Sequence, residues 1–368
     1  MKKILFFTLG FSFNSKKSGI EKKIENQYKS LENNGYEVFI TEFANNIFKI
    51  GEKYQCRIPN LILRSYLVCK LLEKFISENK IDIIYIRYEH FSDLFFIKLL
   101  KNIKLKKIKI LLEIPTYPYD FEYKNKLTLS YLKLFIDKIY RVYLKKYVDF
   151  IVTYSDDKII FGIPCINISN GVNLEEISLV NNSHRKLNKI IFTSVSSCYF
   201  WHGIDRMISA IESFYEKNKK EEVIFNIVGN GPELKVLKKK VELNPNLKNK
   251  INFLGFCSGM ELEKIYDSTD IAVGSLARHR SGLNKMKALK NREYCAKGLP
   301  MIFSEEDSDF ENVPFVYHIL PTEEEIDVED IIKWYNQLQI TPKEIRKYCE
   351  KLSWDIQMKK IIETVESN

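Results

Sequence analysis

The sequence lacks the features that mark several large protein classes. No apolar run approaches the roughly 20 residues that a membrane-spanning helix needs. The seven cysteines are odd in number and form no CxxC pair, which argues against a disulfide framework or a zinc site and favours reduced thiols in the cytosol. A GxGxxG turn, typical of dinucleotide sites, is missing. RNP, KH and zinc-finger patterns are missing too, so nucleic acid is not an expected partner.

The composition is that of a globular protein with a basic surface. The chain has 368 residues, of which 45% are hydrophobic and 29% are charged, and this length favours two domains. The net charge of +9 favours anionic partners such as nucleotides or phospholipid headgroups. The opening MKKILFFTLGFSF imitates a signal peptide, but no cleavage-site pattern follows it. We interpret residues 4–9 as a buried parallel strand instead.

Strand-like apolar runs alternate with helical patterns along the whole chain. The predicted strands are residues 4–9, 38–40, 81–87, 109–113, 150–153, 190–194, 223–228, 251–254, 271–273 and 301–303. Such alternation is typical of doubly wound α/β domains. It predicts a first domain over residues 1–171, a second over 172–345 and a C-terminal helical segment over 346–368.

The most informative stretch is residues 278–300, RHRSGLNKMKALKNREYCAKGLP, with seven Lys/Arg and a single acid, Glu293. Gly282 permits a tight turn, and we predict a helix from Asn284 that ends at Gly298. Lysines, free N–H groups and the helix dipole at its start suit a di-anion. Glu293 follows Lys290 by one turn and could accept hydrogen bonds from a sugar hydroxyl pair. A nucleotide site is the sharper interpretation, and a solvated lysine-rich helix is the alternative.

Three further stretches are open to two interpretations each. The loop EIPTYPYDFE follows a predicted strand, where α/β sheets place ligands, although it could be a rigid connector. A basic, aromatic helix is predicted over residues 124–147, either packing on its own sheet or lying on an anionic membrane. The acidic run SEEDSD contains a DxD pattern at Asp307 and Asp309, which we interpret as a surface loop rather than a metal site.

Several runs in a fixed order resemble one enzyme family. They are SGIEKKI, ISNGVN, WHGIDRMI, FNIVGNGPELKVL, INFLGF and LKNREYCAKGLPMI, together with the EIPTYPYDFE loop. In this order the chain resembles the family 4 (group 1) glycosyltransferases of the GT-B fold, of the bacterial surface-polysaccharide type. The resemblance implies an α/β GT-B fold, in which two Rossmann-like domains face each other across a cleft and the C-terminal helix crosses back to the first domain.

The resemblance also implies an activity. It is that of a retaining, hexosyltransferase-type enzyme that transfers a sugar from a nucleotide diphosphate sugar, UDP- or GDP-linked, to a growing lipid-linked saccharide. Capsule, exopolysaccharide or O-antigen synthesis would be the setting. No metal or other cofactor would be needed. The protein would be cytoplasmic and peripheral on the anionic inner leaflet.

Site residues carry over from the resemblance by position. Glu293 would hold the ribose, Lys290 and the turn before it the diphosphate, and the backbone of Phe256 the base. Gly19 would approach the donor phosphate, and Asn170 would line the cleft. The further nucleotide-sugar candidates are Ser197, Gly229 and Leu289, and the acceptor-side candidates are Glu113, Tyr117 and Tyr119.

The chain departs from the family pattern at three positions. Ser197 and His202 stand where the family often has an Arg and a Lys that clamp the diphosphate, and Lys285 stands where it has the first of two glutamates. We therefore predict that positive charge has been relocated, with Lys285, Lys290 and Arg280 as catalytic candidates. His202 is predicted to donate to a phosphate, with packing beside Trp201 and Asp205 as the alternative.

Two other functions remain open from the sequence. One is a GT-B nucleotide-sugar epimerase or synthase, which would form product without an acceptor. The other is a catalytically impaired transferase that acts as an anion- or membrane-binding module, because two phosphate-clamp positions are altered.

Overall fold

The computed structural model describes residues 1–13, 18–90, 92–120, 128–181, 189–217 and 221–367, with residues 128–130 described by their backbone alone. It divides into two compact units, Met1–Gly171 with Trp354–Asn368, and Val172–Ser353. The first boundary falls where the sequence placed it. The second lies after residue 353 rather than 345, because Ile345 and Cys349 are buried in the core of the second unit.

The first unit is an α/β sheet with helices on it. Its strands, over the described residues, are β1 (Lys3–Phe7), β2 (Glu37–Ala44), β3 (Ile47–Ile50), β4 (Tyr54–Arg57), β5 (Ile83–Arg87), β6 (Lys109–Ile114), β7 (Phe150–Thr153), β8 (Ile159–Ile160) and β9 (Ile163–Asn167). They lie in the order β4-β3-β2-β1-β5-β6-β7-β9-β8. The centre, from β2 to β9, is parallel, whereas β3, β4 and β8 are antiparallel additions at the edges.

The antiparallel strands β3 and β4 were not predicted from the sequence. Ala44 pairs with Ile47, so Asn45 and Asn46 form a two-residue turn in which both φ angles are positive, at 51° and 60°. Asparagine tolerates this conformation, and such turns join strands into hairpins. The signal was therefore present in the Asn-Asn pair.

The helices of the first unit are α1 (Gly19–Asn33), α2 (Leu61–Glu78), α3 (Leu94–Leu105), α4 (Thr128–Tyr140) and, from the end of the chain, α11 (Trp354–Glu366). Helix α11 packs against α1. A β-carbon on Gly171 would overlap the Trp354 ring, so glycine is required there. The basic helix predicted over residues 124–147 is α4 followed by a 3₁₀ helix, Arg141–Lys146, and its first residues lie outside the described ranges.

The second unit contains a parallel sheet. Its described strands are β10 (Lys189–Val195), β11 (Glu222–Val228), β12 (Ile251–Gly255), β13 (Ile271–Val273), β14 (Met301–Phe303) and β15 (Val316–His318), in the order β12-β11-β10-β13-β14-β15. The helices are α5 (Ile204–Glu216), α6 (Leu234–Glu242), α7 (Met260–Asp267), α8 (Leu289–Lys297), α9 (Val328–Gln337) and α10 (Pro342–Lys347). Because β10, β13 and β14 are parallel neighbours, their carboxyl ends meet at one edge.

Two features bear on the sequence-based expectations. All seven cysteines carry free thiols. Over the described residues, every helix is too short or too polar to span a bilayer. The segment after Gly171 is partly buried, since Val180 and Ile177 pack in the second core, and residues 182–188 lie outside the described ranges.

Candidate functional site

The start of α8 lies against the strand ends of the second sheet. A β-carbon on Gly274, just after β13, would stand 2.9 Å from Asn291 Oδ1 and 2.7 Å from Phe303 Cβ. These distances are shorter than any real β-carbon makes, so only glycine allows this approach. The first turn of α8 is thereby held at the carboxyl edge of the sheet, where open α/β folds place ligands.

Helix α8 begins later than the sequence predicted. The backbone from Asn284 to Met286 is not helical but runs extended beside Glu306. The Met286 N–H donates to the Glu306 carbonyl at 3.0 Å, and the Glu306 N–H donates to the Asn284 carbonyl at 2.8 Å. The helix therefore starts at Leu289, which puts Leu289 and Lys290 in its first turn.

The amino end of α8 has the character of an anion site. Ala288 at the N-cap position makes no side-chain hydrogen bond, and the first turn contains no acid. The Nζ atom of Lys290 is buried and has no hydrogen-bond partner among the described residues, although the stem of the side chain is partly exposed. Burial lowers the pKa of Lys290 to about 8, against the opposing effect of the Glu305 carboxylate. Unsatisfied N–H groups and an unpaired ammonium both favour a bound anion.

Other buried polar atoms at this edge also lack partners. Over the described part of the chain, these atoms are Ser194 Oγ, Ser196 Oγ, Asn291 Oδ1 and Glu305 Oε2. Buried polar groups are nearly always hydrogen-bonded in folded proteins. Their concentration where β10 and β14 end indicates a place for a polar ligand or ordered water.

His202 lies beside this cluster as a neutral hydrogen-bond donor. Its Nδ1 atom accepts the Tyr199 N–H at 3.1 Å, so the ring proton resides on Nε2. Burial, with the charges of Lys290 and Arg278, lowers the pKa of His202 to about 2. The centres of the His202 and Trp201 rings are 6.1 Å apart in an edge-to-face arrangement, so His202 also packs beside Trp201, as the alternative interpretation predicted. A neutral Nε2–H can still donate to a phosphate oxygen.

Arg278, rather than the predicted Arg280, is the arginine beside Lys290 and His202. Arg278 is buried, its guanidinium lies 5.9 Å from the centre of the Trp201 ring, and Nη2 contacts the Met286 sulfur. Sequence reasoning missed it, although its place directly after the buried Leu276 and Ala277 was a signal.

The structure does not favour the predicted catalytic role of Arg280. Its guanidinium donates twice to Asp205, at 2.9 Å each, and to Glu323 at 2.8 and 2.6 Å. A further bond goes to the carbonyl of Phe200 at 3.0 Å. Every N–H group of the guanidinium is therefore used in holding the loops together, and none remains for a diphosphate.

The structure does not favour the predicted catalytic role of Lys285 either. Its side chain is 70% exposed and forms a 3.7 Å ion pair with Glu306, which is 67% exposed. The extended backbone that delays α8 directs this lysine into solvent. An exposed lysine that already has an acidic partner contributes little to binding a diphosphate.

The remaining second-unit candidates lie on the same edge or on α8. Glu293 is half-buried, and the Tyr266 hydroxyl donates to one carboxylate oxygen at 2.9 Å. Phe256, which is 72% exposed, directly follows the end of β12. Ser197 is exposed in the loop after β10. Gly229 has a φ of 122°, and a β-carbon there would collide with the Ser196 carbonyl, so this glycine serves loop packing. The ribose and base contacts of these residues stay predictions.

Gly19 and Asn170 both belong to the first unit. Gly19 is the exposed first residue of α1, and a β-carbon there would have no atom of the described residues within 4 Å. Ser18 and Glu21 form a capping box at this helix end, in which the Glu21 N–H donates to the Ser18 hydroxyl. Asn170 is partly buried beside Gly171. Their predicted donor contacts stay predictions.

The prediction that Glu113 contacts an acceptor is contradicted. The residue has 0% exposure. Its Oε1 atom accepts hydrogen bonds from Arg87 and Tyr154, each at 2.8 Å, and lies 3.5 Å from the ammonium of Lys23, whereas Oε2 accepts from two other side chains. These are Gln27 and Tyr85. Burial tends to raise the pKa of Glu113, but Arg87 and Lys23 hold it below its ordinary value.

Tyr119 is contradicted as an acceptor residue for the same reason. It is 1% exposed, its hydroxyl donates to Asp137 at 2.6 Å, and its ring stacks on His90 at 3.8 Å. Tyr117 is half-buried, with its ring 5.7 Å from Phe161, and so it retains some accessible surface. Of the acceptor-side candidates, Tyr117 alone could contact a ligand without a rearrangement.

Both aspartates of the DxD pattern form ion pairs with an arginine. Arg292, on α8, has 0% exposure and pairs with both Asp307 and Asp309, with its guanidinium 4.9 Å from the Phe310 ring centre. The interpretation of Asp307 as a surface residue was wrong, since it is only 4% exposed. Among the described residues, no group of three side chains is arranged to hold a metal ion.

Comparison with known proteins gives one family match. Residues 177–311 match the family model of the glycosyl transferases group 1. This segment covers β10 to β14 and α8. It therefore includes the α8 edge, meaning the carboxyl ends of β10, β13 and β14 together with the first turn of α8. No curated protein is similar enough in sequence to match.

Solved structures resemble the whole chain. The lipopolysaccharide outer core galactosyltransferase WaaB, in its apo form, is 13% identical over 100% of this chain and 99% of its own, with a TM-score of 0.62. Alr3699/HepE of Anabaena, in complex with UDP-glucose, is 14% identical over 100% of both chains, with a TM-score of 0.62.

A third solved structure is the catalytic domain of starch synthase IV from Arabidopsis thaliana, bound to ADP and acarbose. It is 12% identical over 100% of this chain and 99% of its own, with a TM-score of 0.64. These likenesses confirm the predicted α/β, GT-B fold. The second unit thus carries a glycosyl transferases group 1 domain within a GT-B chain, and the protein is a glycosyltransferase.

Proposed function

We propose that the protein is a retaining glycosyltransferase that takes a hexosyl group from a UDP- or GDP-linked sugar. The observation that carries this proposal is the amino end of α8, where uncapped N–H groups meet a buried ammonium, Lys290, without a partner in the described chain. Such a site favours a diphosphate over a neutral ligand. The UDP-glucose in the Anabaena structure and the ADP in the starch synthase structure are consistent with this ligand class.

The same groups would stabilise the leaving diphosphate. As the bond between the anomeric carbon and the phosphate oxygen breaks, negative charge builds on the phosphates. Lys290, Arg278 and the Nε2–H of His202 are held in a partly desolvated site, where each donor can contribute about 2.7 to 4 kcal/mol to transition-state stabilisation. Glu293 is proposed to hold the ribose, and the backbone at Phe256 the base.

Retention requires the acceptor to attack from the face of the leaving group. In the proposed mechanism a departing phosphate oxygen accepts the proton of the acceptor hydroxyl, so no carboxylate base is needed. Glu113 is unsuited to that role, because its oxygens are already saturated by donors. His202 is neutral and presents a donor rather than a base.

We further propose a lipid-linked saccharide as acceptor and an anionic membrane as partner. The support is the α4 face, formed by α4 and the 3₁₀ helix after it. Its large exposed apolar residues are Tyr131, Leu132, Phe135, Ile136, Ile139, Val142 and Tyr143. Lys138, Lys145 and Lys146 are exposed beside them, whereas the single acid of this stretch, Asp137, is buried. An apolar face flanked by lysines suits an anionic leaflet.

The donor proposal is tested by nucleotide binding. Calorimetry against UDP, GDP, CDP and ADP, with and without magnesium, should give one preferred nucleoside diphosphate. A ligand at 100 times its dissociation constant stabilises a protein by about 2.7 kcal/mol, which a thermal shift detects. Binding to none of them would refute the donor proposal.

The reaction itself is tested by product analysis. Proton NMR of the product should show the same anomeric configuration as the donor sugar, and inversion would refute retention. Product formed without an acceptor would identify an epimerase or synthase instead. Nucleotide binding without turnover would favour the impaired transferase, which the changes at Ser197 and His202 make worth testing.

Membrane binding is tested separately. The protein should co-sediment with vesicles of phosphatidylglycerol and phosphatidylcholine but not with pure phosphatidylcholine. A Phe135→Ser/Ile139→Ser variant should lose this binding. Val236→Ser, which changes a residue 64% exposed in the second unit, is the matched control and should keep it. Equal sedimentation of all three proteins would refute the membrane proposal.

A further inference from the structure

Glu305 is a buried acid at the α8 edge for which the sequence indicated no role. It follows β14 and is 1% exposed. One oxygen accepts the side-chain amide of Asn291 at 2.9 Å, and the other, Oε2, is buried without a hydrogen-bond partner in the described chain. Burial raises the pKa of Glu305, while the positive charges of Lys290 and Arg278 oppose that shift.

Glu305 is the acid that faces Lys290. The charged and titratable groups around the ammonium come from three loops: Glu305 after β14, Arg278 after β13, and Cys198 with His202 after β10. His202 is neutral, and burial raises the pKa of the Cys198 thiol, so that thiol is also neutral. Of these neighbours, Glu305 therefore supplies the negative charge that favours a charged lysine.

We propose that Glu305 is a positioning residue that acts through Lys290: its buried carboxylate, fixed by Asn291, supplies the negative charge that favours a charged ammonium at the amino end of α8. Glu305 itself does not touch the donor. The inference rests on the proposed function, since it assumes that Lys290 binds a nucleoside diphosphate. It also explains why an acid is retained in a site that binds an anion, where it would otherwise repel the ligand.

The role of Glu305 has a pH signature. The pKa of Lys290 is lowered to about 8, so its positive charge is present below that pH and is lost as the pH rises through it. Nucleotide affinity should fall over the same range. Without Glu305, burial and Arg278 act unopposed on Lys290, and the fall should begin at a lower pH. Removing a carboxylate also removes repulsion of the phosphates, so the pH midpoint is diagnostic and the affinity at one pH is not.

The test compares two neighbouring acids. Glu305→Gln, Glu306→Gln and the wild type are titrated by calorimetry with the nucleoside diphosphate that the wild type prefers, from about pH 6 to 10. Glu306 is the matched control because it is 67% exposed. The midpoint of the affinity loss should move down by about one pH unit or more in Glu305→Gln. It should stay at the wild-type value in Glu306→Gln.

The outcomes separate the two proposals. A wild-type midpoint in Glu305→Gln, or an affinity loss equal at every pH, would overturn the positioning role and leave the transferase proposal intact. A wild type that binds no nucleoside diphosphate would refute the proposed function itself. If Glu305→Gln does not fold, Asn291→Ala removes the hydrogen bond that fixes Glu305 while leaving both charges in place. The Asn291→Ala variant should also lower the pH midpoint of the affinity loss. An unchanged midpoint would overturn the positioning role of Glu305.

Discussion

In the described part of each unit a buried glutamate lies beside a lysine whose ammonium is buried, and the two glutamates differ in how many hydrogen bonds they accept. Glu113 of the first unit accepts bonds on both oxygens, and Lys23 lies 3.5 Å from it with its ammonium 3.6 Å from the Tyr154 ring centre. Glu305 of the second unit accepts one bond from Asn291, and Lys290 has no hydrogen bond within the described chain.

The difference teaches how to distinguish structural charge from functional charge. A saturated cluster such as that of Glu113 stabilises the fold and presents nothing to a ligand. An unsaturated cluster such as that of Lys290 incurs a desolvation cost that a bound ligand can offset. Both clusters lie near the ends of parallel strands, so position alone does not separate them. The two clusters differ instead in the number of hydrogen-bond partners that their charged groups have.

The largest effect is expected from Glu113→Ala. The variant leaves Arg87 and Lys23 buried without their acid, and breaking a buried pair in this way costs about 3 to 5 kcal/mol of unfolding free energy. Urea denaturation followed by circular dichroism measures the loss. Glu52→Ala, at a side chain 96% exposed, is the control and should change little. A Glu113 variant as stable as the control would break the comparison.

Lys290→Ala should have the converse phenotype. Its loss should weaken nucleoside diphosphate binding by about 1.5 to 3 kcal/mol, the range for hydrogen bonds to charged groups. The free protein should lose less stability than Glu113→Ala does, because Lys290 makes no hydrogen bond in the described chain and Arg278 still faces the Glu305 carboxylate. Calorimetry and urea denaturation measure the two effects. Normal affinity with lower stability would place Lys290 in the structural class with Glu113.

The pH dependence of the unfolding free energy tests whether Lys23 is charged in the folded protein. Burial lowers the pKa of Lys23 from 10.5 to about 7. Between these values the unfolded chain binds more protons than the folded one, so stability rises with pH above about 7. The slope for one lysine is at most about 1.4 kcal/mol per pH unit. Lys23→Met should show a smaller rise in unfolding free energy than Lys22→Met, which changes the exposed neighbour. Equal rises would show that Lys23 is charged in the fold.

The smallest effect is expected from Lys285→Ala. Its exposed ion pair with Glu306 should be worth less than about 1 kcal/mol in unfolding free energy. Turnover and nucleotide affinity should remain at wild-type values, measured alongside Lys290→Ala in the same assays. A loss of turnover in Lys285→Ala would return this lysine to the site and support the charge-relocation hypothesis at this position.

Much of the fold could be predicted from local patterns. Most parallel strands of both sheets follow from short apolar runs bounded by turns, although β9 and β15 were not predicted. The placement of Lys290 and Glu293 on one helix follows from their spacing. The start of that helix could not be predicted, because Asn284 and Met286 are held extended by Glu306, which comes later in the chain. Local helix propensity cannot anticipate a partner strand.

The site was predicted in part. The sequence led to Lys290 and His202, which the structure places beside each other, but it favoured Arg280 over Arg278. Two arginines separated by one residue look equivalent in a sequence. Asp205 and Glu323 bind Arg280, and both lie more than 40 positions away, since their sequence separations are 75 and 43. Glu113 was misjudged for the same reason, because its donors Gln27 and Tyr154 are 86 and 41 positions away.

The sequence by itself therefore determined the α/β alternation, the turn at Gly282 and the helix end at Gly298 on either side of α8, and the lysine in the first turn of α8. These depend on residue type and short-range spacing. Only the tertiary structure decided which charged groups are paired within the protein and which remain available to a ligand. Pairing and burial are set by residues far apart in the chain, and the cost of an unpaired buried group arises only once the fold has excluded water from it.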